Sequence, residues 1–197
     1  VIRGGAAAAL LVVCATCSGA SGGLLGAATP RPDSSEDRPG IPGDEAVVLL
    51  GVLTPEEVLD HDPAYQAEFE AYEPDPGAVR LIAGGDVAVS IEVFFGTWCS
   101  DSAREVPRLL RILERARAGR EAMGKGPLPI MVRLVGVDRD KREPADVIGD
   151  SGIDLVPTIL VRRDGREIGR IVEAPQGSLE EELALLVLEA AEASGAP

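Results

Sequence analysis

Apolar positions along the chain change their period several times, and each change marks an element. Val87 to Phe95 is β-branched and aromatic, broken only by Ser90 and Glu92, which predicts a central strand covered on both faces. Beyond it Val106, Leu109, Leu110, Leu113 and Ala116 recur at three and four, the stripe of an amphipathic helix ending near Gly119. Ile130 to Val137 reads as a second strand, and its long helical connection to the first is that of a right-handed crossover between parallel strands. Thr158 to Arg163 and Arg166 to Val172 flank Asp164-Gly165, a two-residue hairpin signal. A last helix starts at Ser178 with Glu181 in capping-box position and carries Leu179, Leu183, Leu186 and Ala190 on one side.

Upstream, Val47 to Leu50 predicts a short strand, Thr54-Pro55-Glu56-Glu57 has the order of a helix start, and Asp62-Pro63 opens another. Tyr65, Phe69 and Tyr72 then share one helical face, which predicts packing of a helical extension over residues 46–86 against a domain spanning 87–193. Residues 21–45 are rich in Gly, Pro, Ser and charge without apolar periodicity, the pattern of a flexible tether. Residues 1–20 combine Arg3, an apolar run from Ala6 to Ala15 and small residues ending at Ala20, the layout of an exported protein's signal peptide. That run is about ten residues, half the ~20 of a spanning helix. Removal of the leader takes Cys14 and Cys17 with it. A lipoprotein signal would instead keep Cys17 as a lipidated first residue and tether the protein to the membrane, although Cys14-Ala15-Thr16 matches such a signal poorly. Either way the protein is expected in the periplasm or cell envelope. Cys14 and Cys17 form a CxxC spacing, but an apolar leader lacks the structured, electropositive setting of a reactive thiol.

Charge narrows the partners. The chain has 33 acidic and 19 basic side chains, a net charge of -14, and no basic cluster able to track a phosphate backbone, so nucleic acid is not expected. One cysteine, Cys99, and one histidine, His61, remain beyond the leader, too few for a transition-metal set, and no cofactor is expected. The loop Asp138 to Lys141 resembles no tight metal loop, and His61 falls in a helix break far along the chain from Cys99.

The strand ending at Phe95 runs straight into Gly96-Thr97-Trp98-Cys99-Ser100-Asp101-Ser102, with Pro107 eight residues after the cysteine and Val156-Pro157-Thr158 ahead of the hairpin. This combination resembles the thioredoxin superfamily, nearest to bacterial thioredoxin-family proteins with a Trp-Cys-Ser-Asp-Ser stretch. The resemblance spans residues 87–193 and implies an α/β thioredoxin-like fold, a central mixed sheet flanked by helices. A cysteine at a helix N-terminus faces unpaired N–H groups and the positive end of the dipole, which favours thiolate. By resemblance, Cys99 is the nucleophile, Trp98 shields it, Pro107 kinks the helix, and Val156 with a cis Pro157 forms a platform whose backbone pairs with substrate.

Two departures qualify the likeness. Ser102 stands where a dithiol protein has its resolving cysteine, and a hydroxyl cannot attack a mixed disulfide. Its spacing to Glu105 fits a capping box, and the hydroxyl can also donate to a Cys99 thiolate; both roles stay open. Val93 occupies the position of the family's buried proton-relaying acid, and Glu92, one residue off, points to the other face. Asp101 opposes a thiolate while Arg104 and Arg108 offset it. The implied activity is monothiol exchange with a protein or small-molecule disulfide, resolved by an external thiol reductant. The alternatives are a redox-inactive module that binds extended peptides in the groove of Trp98, Val156 and Pro157, and a thiol sensor.

Overall fold

A computed structural model describes residues 48–149 and 151–193. The expected leader, the whole of the expected tether, Ala46 and Val47 lie outside the described residues. The elements are β1 (Gly51–Leu53), α1 (Pro55–Asp60), α2 (Pro63–Ala71), α3 (Pro76–Gly84), β2 (Val89–Phe95), α4 (Ser100–Ala122), β3 (Ile130–Gly136), α5 (Ala145–Ile148), β4 (Thr158–Arg163), β5 (Arg166–Val172) and α6 (Leu179–Glu192). They form a mixed α/β architecture around a five-stranded sheet of order β1-β3-β2-β4-β5. β2 and β3 run parallel, joined through α4, and the other neighbours are antiparallel.

The pleat of β2 sorts the core. Val89, Ile91, Val93 and Phe95 face one side, where they pack with Val106, Leu109 and Leu113 of α4, Ile82 of α3, Tyr65 of α2 and Leu183 of α6. Phe94 faces the other side and gathers Val135, Val137, Ile148, Val156 and Leu160, with Trp98 and Cys99 at the edge of that cluster. Coverage of the second face is partial. Glu92, pointing that way as expected, sits between Arg133 and Arg162 at 3.2 and 3.0 Å, an ion-paired and partly solvated patch where the sequence pattern implied cover.

Three expectations about elements change. The first strand lies at Gly51–Leu53 rather than 47–50, because pairing with β3 begins at Gly51, whose φ of +95° suits glycine. α4 runs on past Gly119 to Ala122: Gly119 fits beneath Ala83 of α3 in helical conformation, and the turn falls at Gly124, with φ +69°. α3, opened by Asp75-Pro76 in the same manner as α2, and the short α5 are additional helices. The Asp164-Gly165 turn, both residues at positive φ, forms as the pattern predicts, as do the capping boxes at Thr54/Glu57 and Ser178/Glu181.

Glu180 fastens α6 to the N-terminal helices. Its buried carboxylate accepts hydrogen bonds from the Tyr72 hydroxyl at 2.6 Å and the Asp75 N–H at 2.9 Å. Burial alone would push its carboxyl up, but these bonds outweigh it and hold the group below the ordinary glutamate value of 4.5. A depressed native value stabilises the fold above the ordinary value, and the contribution is lost as pH falls through the native one. Glu180→Gln should therefore destabilise the protein by about 1–2 kcal/mol at neutral pH, with the deficit shrinking toward pH ~3. Denaturant unfolding of both proteins at the two pH values checks this.

Candidate functional site

Register brings the site together. Phe94 of β2 lies opposite Thr158 of β4, so the chain leaving β2 toward Cys99 meets the chain entering β4 through Val156-Pro157. The Val156-Pro157 peptide is cis, and Cys99 Sγ lies 3.2 Å from the Val156 carbonyl oxygen, to which the thiol donates. Pro157 O is taken by the Glu173 N–H at 2.7 Å, which ties the loop to the end of β5. Cys99 is half-buried in extended conformation as the N-cap of α4, with no side-chain cap bond of its own.

Trp98 stands beside it, held by its indole N–H to Val137 O at 3.2 Å. Gly96 makes room for the ring: a Cβ there would lie 2.7 Å from the indole Nε1, far inside van der Waals contact. Above the ring sits the Arg139 guanidinium, 5.1 Å from the centroid. Pro107 is buried inside α4, which continues through it.

Ser102 departs from both roles expected of it. It is the third residue of α4 rather than its cap, because Cys99 adopts the extended cap geometry three residues earlier. Its fully buried hydroxyl accepts the Gly96 N–H at 3.2 Å instead of meeting the sulfur, and so braces the turn that carries Trp98 and Cys99. Glu105, its expected box partner, is buried and binds Arg104 at 2.6 Å. The Val156 platform also differs: its carbonyl is engaged by the Cys99 thiol rather than left open for substrate. The flanking charges are paired among themselves, Arg104 with Asp101 at 2.9 Å and Arg108 with Glu68 at 2.6 Å. His61 meets only the edge of Tyr65, ring centroids 5.9 Å apart.

Two residues near the site carried no functional signal in the sequence. Tyr65 shares the expected packing face, yet its buried hydroxyl has no hydrogen-bond partner. Burial pushes the phenol up, and the negative charge available at Cys99 adds to the effect, followed by Asp62. Arg139 lies in the loop Asp138 to Glu143. There the Asp138 carboxylate accepts N–H bonds from Glu143 and Arg142 at 2.9 and 2.7 Å, which hold it below the usual aspartate range. A phenol within electrostatic reach of a thiol and a cation on an indole depend on where distant segments meet, which local pattern does not record.

No family model matches the sequence, and no curated protein matches it. Among solved structures the chain is similar to a Pseudomonas aeruginosa protein of unknown function, at 16% identity and TM-score 0.45, covering 68% of this chain and 84% of that one. It is likewise similar to an HIV epitope-scaffold, at 18% identity and TM-score 0.43, covering 68% and 85%. No described helix is long and apolar enough to cross a membrane.

Proposed function

We propose that the chain is an exported thioredoxin-like protein that performs monothiol thiol–disulfide exchange through Cys99 in the cell envelope. The observation that carries the reading is the half-buried sulfur at the N-terminus of α4, 3.2 Å from the backbone of Val156 and next to cis Pro157. The Cys99 thiolate attacks one sulfur of a substrate disulfide. A bond forms between Cys99 Sγ and that sulfur, the substrate S–S bond breaks, and the second sulfur leaves with the electron pair and takes a proton from solvent. An external thiol then attacks the mixed disulfide and returns Cys99.

One observation favours a second reading, a peptide-binding module with an idle thiol. The bond to Val156 O is made only by the protonated thiol, and Ser102 faces Gly96 rather than the sulfur.

The test is exchange by the 197-residue chain carrying Cys14→Ser and Cys17→Ser, so that Cys99 is its one thiol. Incubation with glutathione disulfide should give a mass-mapped adduct on Cys99, and scrambled ribonuclease should regain activity in the presence of free thiol. Cys99→Ser should abolish the adduct and return refolding to the rate given by free thiol alone. Absence of adduct and of refolding removes the exchange reading and leaves the binding module.

A further inference from the structure

We propose that Arg139, stacked on Trp98 at the rim of the Cys99 site, selects disulfides that carry a carboxylate beside the scissile sulfur pair. The inference rests on the exchange reading and names its substrate class.

The argument begins with what holds the guanidinium. The Trp98 ring is fixed from both sides, its N–H on Val137 O and its face against Gly96, so the indole is a set platform rather than a mobile lid. An arginine stacked on such a face is attracted by the ring's negative quadrupole and keeps its in-plane N–H donors directed outward. Those donors are unspent: Arg139 is exposed and makes no ion pair among the described residues. Arg80, Arg117, Arg142 and Arg166 likewise make no ion pair among the described residues, and what sets Arg139 apart from them is its seat on the indole beside Cys99. Of the two acids that adjoin Arg139 in sequence, Asp138 is turned inward onto the N–H groups of Asp140, Arg142 and Glu143, and Asp140 is exposed and makes no ion pair with Arg139. The loop thus spends its first carboxylate on its own backbone and presents the adjoining cation beside the residue that precedes Cys99.

A planar fork with free donors on the ring of the residue that precedes the reacting cysteine suits a carboxylate held a few bonds from the substrate disulfide. Two sources present that chemistry, a small thiol such as glutathione and a peptide with an acidic residue flanking its cysteine. In a protein of net charge -14, long-range repulsion acts against both, so a local cation is what admits them.

The experiment measures rates of Cys99 modification for the chain with Cys14→Ser and Cys17→Ser, with and without Arg139→Gln. The disulfides are dithiobis(2-nitrobenzoate), uncharged 2-hydroxyethyl disulfide, cationic cystamine, glutathione disulfide, and peptide disulfides with Glu or Gln beside the cysteine. Arg139→Gln should slow the carboxylate-bearing reagents by about threefold to tenfold. It should leave hydroxyethyl disulfide within about twofold and speed cystamine, with the contrast shrinking in high salt. An effect on glutathione disulfide alone, on the Glu peptide alone, or on both supports the proposal and names the source. Equal slowing of every reagent, which a packing role would give, or no slowing of the anionic ones, overturns it and leaves exchange intact. Failure of wild-type Cys99 to react with any reagent overturns the exchange reading and this inference with it.

Discussion

Replacing Arg120 by methionine should lower the unfolding free energy by about 3–5 kcal/mol, a loss as large as that of truncating a buried core side chain. Its nearly buried guanidinium gathers backbone that ends in the interior: Nε meets Gly126 O at 2.8 Å and Pro127 O at 3.1 Å, and Nη1 meets Ala83 O at 3.0 Å and Gly85 O at 2.7 Å. Nη2 reaches Asp86 at 3.1 Å. Ala83 and Gly85 lie at the C-terminal end of α3, where carbonyls have no helical partner, and Gly126-Pro127 lead into β3. Methionine preserves most of the length and removes every donor. Equilibrium denaturation checks the value. A loss under about 1 kcal/mol would mean that water replaces the guanidinium there. Because Arg120 ends α4 far from its Cys99 terminus, exchange per folded molecule should not change.

The local signals of the sequence reached the frame of the site but not its wiring. Periodicity and turn chemistry identify β2, α4, β3, the β4–β5 hairpin and α6, whereas the placement of Val156-Pro157 beside Cys99 is implied by the family resemblance alone. Ser102-x-x-Glu105 shows the limit of that method. The spelling of a capping box is present, but the cap is decided by which residue leaves the helical dihedrals, and the sharp exit from β2 makes that residue Cys99. Gly119 illustrates the same point, since a glycine stops a helix only where its dihedrals leave the helical region, and here it stays helical and serves instead as a contact point under Ala83. Arg120 joins the nearby Gly126 and Pro127 to Ala83, Gly85 and Asp86 far along the chain, Arg139 meets the distant Trp98, and the Tyr65 hydroxyl has no partner among the described residues, so nothing in a local window distinguishes them from surface or packing residues.

Ser102→Cys should change what the protein does with a captured substrate. In the exchange reading the wild-type mixed disulfide waits for an external thiol, because the residue one helical turn from the sulfur carries a hydroxyl committed to the Gly96 N–H. Positions 99 and 102 are the cap and third residue of α4, a separation at which two cysteines bridge within ordinary disulfide geometry. A thiol there attacks from within the molecule, and even a millimolar effective concentration exceeds dilute external thiol. Release of the small thiol from a preformed Cys99–glutathione adduct should accelerate by at least about tenfold, leaving an internal disulfide detectable as a loss of two hydrogens by mass. The exchange also gives up the hydroxyl that braces the turn, so Trp98 fluorescence, reporting the chain's one tryptophan, should shift in the reduced variant. Unchanged release with a correctly folded variant would mean that residue 102 does not face the mixed disulfide at all, and the resemblance to dithiol proteins would then be a poor guide to this site.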